Sequence, residues 1–184
     1  MNLSNCENIN NIHNLYSVEI LNLSNCRSFS NIIIFSNLHT LNLSKTWIKD
    51  VSIFSNLYSL DLSYCKKIND VNSLRKVHIL NLSNCDINDV RELGYVNDLN
   101  LSYCKKIKDF SSLTNNHKLN LSNTNVKDVY SFKNIYDLNL SFCTKIEDVS
   151  ILKDITKLNL LGCNNIKTNL SILEKIDIIY SRKI

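Results

Sequence analysis

The sequence predicts a β-rich α/β solenoid with one short strand per turn, and three observations carry that prediction. The hexad Leu21-Asn22-Leu23-Ser24-Asn25-Cys26 returns as close copies at 41–46, 60–65, 80–85, 99–104, 119–124, 138–143 and 158–163, and a headless copy starts at Asn2. Its second leucine falls at 3, 23, 43, 62, 82, 101, 121, 140 and 160, a spacing of 19 or 20 residues. A fixed period in this range marks turns that stack on one another. Within each copy, leucines alternate with polar residues, the period-two pattern of a half-buried strand. We expect a single solenoid over residues 1–184 of about nine to ten turns, with irregular terminal turns at 1–20 and 164–184.

The unit from Leu60 shows each element in order. Leu60 and Leu62 point inward from the strand while Asp61 and Ser63 point out, and Cys65 closes it. Ile68 follows, and then apolar residues come every third position at Val71, Leu74, Val77 and Leu80. A spacing of three suits 3₁₀ turns or extended backbone and not an α-helix. Asp70 stands where its carboxylate caps that turn, and Asp50, Asp89, Asp109, Asp128 and Asp148 share the slot. Cys6, Cys26, Cys65, Cys85, Cys104, Cys143 and Cys163 occupy another single slot, with Thr46 and Thr124 as substitutes. Thr replaces Cys where a small side chain meets backbone in a turn but is a poor replacement for a thiolate ligand. Cys-x-x-Cys spacing is also absent, so we expect a structural ladder of buried thiols and no metal or cofactor.

The pattern Leu-x-x-Leu-x-Leu-x-x-Cys, read at Leu57, Leu60, Leu62 and Cys65 and in the variant Val18, Leu21, Leu23 and Cys26, resembles the leucine-rich-repeat family over residues 2 to about 170. The hexad and its following Ile-x-Asp are similar to the cysteine-containing repeats of F-box adaptors and to internalin-type repeats. Among short, Asn-rich and Ala-poor units, it most closely resembles the leucine-rich-repeat gene families of insect poxviruses. The resemblance implies a right-handed coil with a parallel sheet on a concave or flat face, extended or 3₁₀ segments behind it and slight curvature. Strands about 4.8 Å apart would then span roughly 40–45 Å.

Composition narrows the function. The net charge is +4 with 21% charged residues, well short of the concentrated positive face of a nucleic-acid binder. Lys66-Lys67 and Lys105-Lys106 adjoin Tyr64 and Tyr103, a basic and aromatic pairing able to hold a single strand. Asp70 and Asp109 stand close by, so a protein partner is favoured over nucleic acid. No segment shows the zones of a signal peptide or a run of membrane-spanning length. Seven cysteines, an odd number, suit reduced thiols in a cytoplasmic setting. The Asn-x-Ser sequons at Asn22, Asn42, Asn81 and Asn100 lie inside the expected strands, where glycans would coat the sheet. No Gly-rich phosphate loop, metal cluster or nucleophile motif is present, so we expect no enzyme.

A second period of two turns overlies the first. Ser63 to Ile68 and Ser102 to Ile107 share the string SYCKKI, and His39, His78 and His117 recur at intervals of 39. The uniform Asn column at 22, 42, 81, 100, 120, 139 and 159, with Asp61, suggests amides bonded to one another along the sheet. Candidate partner contacts fall where copies differ. Before each first leucine stand Ile20, Thr40, Ser59, Ile79, Asp98, Lys118, Asp137 and Lys157. After each serine, Tyr64, Tyr103 and Phe142 form an aromatic stripe on alternate turns, and aromatics are enriched at binding hot spots. His39, His78 and His117 run beside Tyr58 and Tyr136. Trp47 reads as a partner anchor or, slightly favoured, a plug. Asn116 takes a core slot held elsewhere by Val77, Val96, Ile135 and Ile155. An unpaired amide there costs ~1–3 kcal/mol, and on that reading Asn116→Val stabilises the protein.

The expected function is a non-enzymatic protein–protein interaction module that presents the sheet face and its flanks. The alternatives are a ubiquitin-ligase substrate receptor lacking its own F-box and a structural repeat protein that self-associates through its open ends, such as Ile176 to Tyr180.

Overall fold

The computed structural model describes residues 1–6, 9, 17–26 and 37–173, and the backbone of 177–179. Nine three-residue strands follow in chain order: β1 (Ile20–Asn22), β2 (Thr40–Asn42), β3 (Ser59–Asp61), β4 (Ile79–Asn81), β5 (Asp98–Asn100), β6 (Lys118–Asn120), β7 (Asp137–Asn139), β8 (Lys157–Asn159) and β9 (Asp177–Ile179). They form one sheet in sequential order, each strand parallel to the next. The register is that of the repeat, with Leu60 opposite Leu80 and Leu80 opposite Leu99. Asn2 bridges to Asn22 ahead of β1. Of the Ile176 to Tyr180 stretch, the backbone of 177–179 pairs with β8, and the remainder lies outside the described residues.

Each strand is short because its own sequence stops it. The Oδ1 of Asn22, Asn42, Asp61, Asn81, Asn100, Asn120, Asn139 and Asn159 accepts a hydrogen bond from the backbone N–H two residues on, at 2.8–3.0 Å. This is the Asx turn that Asn and Asp favour. The expected ladder of amides is therefore corrected: each amide oxygen serves its own turn and not the next copy. The serine column is corrected too. Ser63, Ser102, Ser122 and Ser141 are buried, because the turn folds them under the sheet edge.

The next residue completes the reversal in the left-handed region. Asn5, Asn25, Lys45, Tyr64, Asn84, Tyr103, Asn123 and Phe142 have φ between 57° and 63°, and Gly162 has φ 74°. Asn and Gly enter this region at least cost, which accounts for five of the nine occupants.

The core is one continuous column. From Leu21 to Leu160, both leucines of the hexad, the ladder cysteines and most apolar residues at every third position behind them are almost fully buried, and Leu3 and Cys6 of the first turn are partly so. Phe54 and Phe132 fill the slot that Leu74 holds in its turn. On the back, 3₁₀ segments run at Ser52–Phe54, Asn72–Lys76, Arg91–Tyr95, Tyr130–Phe132, Ser150–Leu152 and Leu170–Leu173. Each of Asp50, Asp70, Asp89, Asp109, Asp128 and Asp148 accepts from the N–H two residues ahead, at 2.8–3.1 Å. The Ser52 N–H holds the Asp50 carboxyl below its ordinary value.

The turn after Asp109 departs from this plan and forms no 3₁₀ helix. Asn116, 2% exposed, instead reaches back one turn. Its Nδ2 donates to Leu93 O at 3.0 Å and to Val96 O at 2.6 Å. The amide is thus no simple fault, since only its Oδ1 lacks a partner. Asn116→Val removes that oxygen but strands the Val96 carbonyl, so we now expect it to leave stability nearly unchanged, within about 1 kcal/mol. Asn116→Asp is the decisive variant. It turns both donors into a carboxylate facing two carbonyls and should cost about 3 kcal/mol or more by denaturant unfolding. A loss under about 1 kcal/mol would show that these two bonds do not hold the seam.

Candidate interaction surface

The ladder explains why the hexad ends in Cys. The Sγ of Cys65, Cys85, Cys104, Cys143 and Cys163 each donates to the second-leucine carbonyl of the preceding turn, at 2.9–3.1 Å. Cys26 does the same to Leu3 O at 3.2 Å. Thr46 and Thr124 make a different bond, to the carbonyl of their own turn at 2.7 Å. Leu43 O and Leu121 O therefore accept both from the Thr and from the Cys of the next turn. Burial pushes the thiols of Cys65, Cys85 and Cys143 up, and those of Cys104 and Cys163 to about 11. Such thiols are poor nucleophiles and poor ligands at neutral pH. Cys6 is only partly buried, at the first turn, and is likewise unpaired. Among the described residues, no group of three or more His, Cys, Asp or Glu side chains is arranged to hold a metal, and no helix is long and apolar enough to cross a membrane.

With the hexad committed to the scaffold, the exposed side chains are those where copies differ. Along the outer sheet face, Ile20 is 61% and Ile79 38% exposed. Thr40 and Ser59 lie between them, so the first half of this column is uncharged. The second half alternates in sign through Asp98, Lys118, Asp137 and Lys157, and Lys118 Nζ comes within 3.9 Å of Asp98.

One position upstream, the sheet is edged by stacked rings. His39 meets Tyr58 edge-on at 4.6 Å between centroids, and Tyr58 stacks on His78 at 4.7 Å. His117 stacks on Tyr136 at 4.6 Å. His39 and His78 thus join through the intervening Tyr58, as strands about 4.8 Å apart require of neighbouring copies, whereas Asn97 separates His78 from the His117–Tyr136 pair. A shallow cleft lined by Glu19, Asn37, Leu38, His39, Tyr58 and Lys76 runs beside the first stack.

The opposite flank carries the left-handed column, in which Tyr64, Tyr103 and Phe142 are about half exposed. Lys45 Nζ lies 5.8 Å from the centroid of the Tyr64 ring. The Phe142 ring lies directly over Gly162, where any Cβ would strike it. Trp47 is 62% exposed, so the plug reading is corrected. The exposed back adds Tyr95 and Tyr130, which the repeat pattern did not single out.

No protein-family model matches the sequence, and neither does any curated protein. Solved structures do share its fold. Internalin C2 of Listeria monocytogenes superposes with TM-score 0.63 at 24% identity, covering 79% of this chain and 72% of its own. Internalin F of the same organism gives 0.65 at 22% identity, with coverages of 92% and 64%. The functional domain of InlJ, whose structure is described as including a cysteine ladder, gives 0.61 at 18% identity, with coverages of 87% and 45%. The fold is a leucine-rich-repeat solenoid. The chain spans under two thirds of the internalin F and InlJ structures it resembles. In this leucine-rich-repeat solenoid the residues singled out for partner contact are spread over three parallel columns and one turn, not gathered at a single point. The ring stacks and the charged column occupy adjacent positions of the sheet, and the Tyr64, Tyr103 and Phe142 column stands beyond its far edge.

Proposed function

We propose that the chain, acting as one solenoid over 1–184, is a non-enzymatic protein-binding module that presents its sheet face and flanks to a protein partner. The observation that carries this reading is the division of labour along the coil. Among the described residues, the leucines, the Asn or Asp and the Cys or Thr of the hexad make scaffold contacts, while the large exposed apolar and aromatic groups stand at variable positions. Ile20, Ile79, Tyr58 and the flanking histidines offer a rigid, mixed apolar and polar surface of the kind partners use. The contacts we assign to the partner are Tyr58, Tyr64, Tyr103, Phe142, Lys118, Asp98, Asp137, Lys157, His39, His78, His117 and Trp47. The buried, unpaired thiols fit a reducing cytoplasm, which is the host's if the chain belongs with the insect poxvirus repeat proteins.

A photo-crosslinker placed in native cells at Ile79 on the sheet and at Lys133 on the back tests the reading. We expect cross-links to a distinct protein from position 79, reduced at least about tenfold at position 133. Ligase subunits among the products would favour the receptor role. Equal labelling from both positions, or recovery of only this chain, would contradict a dedicated binding face.

A further inference from the structure

We propose that the flank bearing Tyr64 and Tyr103 binds an acidic, proline-rich segment in polyproline II conformation, running along the solenoid axis. The inference rests on the reading of the chain as a protein-binding module and names the chemistry of one partner.

The backbone supplies the first reason. Tyr64 and Tyr103 both sit at φ 62° in a slot where Asn5, Asn25, Asn84, Asn123 and Gly162 are the occupants that fit without strain. A tyrosine there is conformationally costly and half exposed, so folding does not account for it. Costly backbone placements of this kind concentrate at ligand sites. Phe142 differs, because its ring is seated on Gly162. The site therefore centres on the two tyrosines.

Spacing supplies the second reason. Tyr64 and Tyr103 occupy equivalent positions two turns apart, and strands about 4.8 Å apart place them about 9.6 Å from each other. A polyproline II helix has three residues per turn and rises about 3.1 Å per residue, so every third side chain faces one way at about 9.3 Å intervals. A β-strand advances a similar distance in three residues but turns the first and fourth side chains to opposite faces. Of these two extended forms, the polyproline geometry sets a ring of the ligand on each tyrosine in succession, and proline on aromatic rings is its usual mode of recognition.

Charge supplies the third. Lys45 lies by the Tyr64 ring, and Lys66 Nζ bonds Asn84 Oδ1 at 2.7 Å, which sets a cation between the two tyrosines. Exposed Lys105 and Lys106 follow Tyr103. Asp86 is shared between Lys66 at 3.3 Å and Lys106 at 2.8 Å, while Asp70 and Asp109 each cap a turn behind; against them stand Lys45, Lys66, Lys67, Lys105 and Lys106. The surplus is positive, so the residues between the ligand's prolines should be acidic.

The test uses the full chain and a fluorescein-labelled peptide of Pro-Glu-Glu repeats, read by anisotropy. We expect saturable binding that Tyr64→Asn and Tyr103→Asn each weaken about tenfold or more. The same substitutions should hold or raise the melting temperature, because Asn suits the slot, so lost binding cannot be blamed on misfolding. A Gly-Glu-Glu peptide of equal charge should bind at least about tenfold more weakly. Absence of binding, equal binding of the two peptides, or full binding by the double variant would overturn the proposal. Displacement of the peptide by a tighter-binding single-stranded oligonucleotide would overturn it in favour of nucleic acid. If the peptide fails while position 79 still cross-links a partner, this flank is excluded and the binding-module reading stands.

Discussion

Gly94→Ala will destabilise the protein by about 3 kcal/mol, far more than one methyl group usually does. A Cβ at Gly94 would fall inside the van der Waals surface of the Ser112 carbonyl oxygen. That neighbour is backbone and cannot swing away. The segment is pinned by Leu113 N–H to Phe110 O at 3.1 Å, by Ser112 Oγ to Val90 O at 3.2 Å and by the Asn116 amide on Leu93 and Val96. The clash therefore opens the seam between two successive turns. In a solenoid each turn is held mainly by its neighbours, so a weakened seam also weakens the coupling between the two halves. We expect Gly94→Ala to lower the denaturation midpoint and, if the halves uncouple, to lower the slope of the transition as well. Gly162→Asn is the control. Its φ of 74° suits Asn, and the obstacle is the movable Phe142 ring, so the cost should stay near about 1 kcal/mol. Equal losses at the two sites would show that the seam at Gly94 relaxes.

Stability will fall steeply above pH 9. The thiols of Cys104 and Cys163 are raised from 9.0 to about 11 in the folded chain, and those of Cys65, Cys85 and Cys143 are raised as well. Desolvation is the leading cause at each. A raised folded value means that below pH 9 both states hold the proton and the full stability is present. Between 9 and about 11 the unfolded chain releases protons that the folded chain keeps, and stability is lost, by up to about 1.4 kcal/mol per pH unit for each thiol. Denaturant unfolding followed from about pH 8 to about pH 10.5 reads this directly. Cys104→Thr, which installs the residue already used at 46 and 124, should remove one thiol's share of the slope. A flat profile, or an unchanged slope in the variant, would contradict the buried ladder.

Much of this architecture was legible because the repeat averages over its own noise. Eight leucine pairs in one register leave little freedom for the strands, and the Asp slot behind most of them pointed to a turn. The left-handed slot was legible in principle as well, since Asn and Gly hold five of its nine positions. What the repeat concealed are contacts between turns. Gly94 and Ser112 are eighteen positions apart, and nothing in either turn announces that their backbones touch. Asn116 read as a fault because the pattern shows which slot a residue holds but not that its turn has opened. The Asn column misled for a related reason: identical residues in line suggest a ladder, yet a local bond two residues away is reached first. The ring stacks were half visible, as histidines two turns apart with a tyrosine in the turn after His39 and after His117. For partner contacts the sequence marks only where copies disagree.

The central claim is that the hexad builds the solenoid while the variable positions beside it carry recognition. A substitution scan read twice, once for folded abundance and once for capture of the cross-linked partner, tests it most directly. Changes at Leu62, Cys85 and Asn100 should lower abundance and lower capture only in proportion. Changes at Ile79, Tyr58, Tyr64 and Tyr103 should leave abundance intact and reduce capture. Capture that survives at those four positions, or that fails at Asn100 with abundance preserved, would contradict the account.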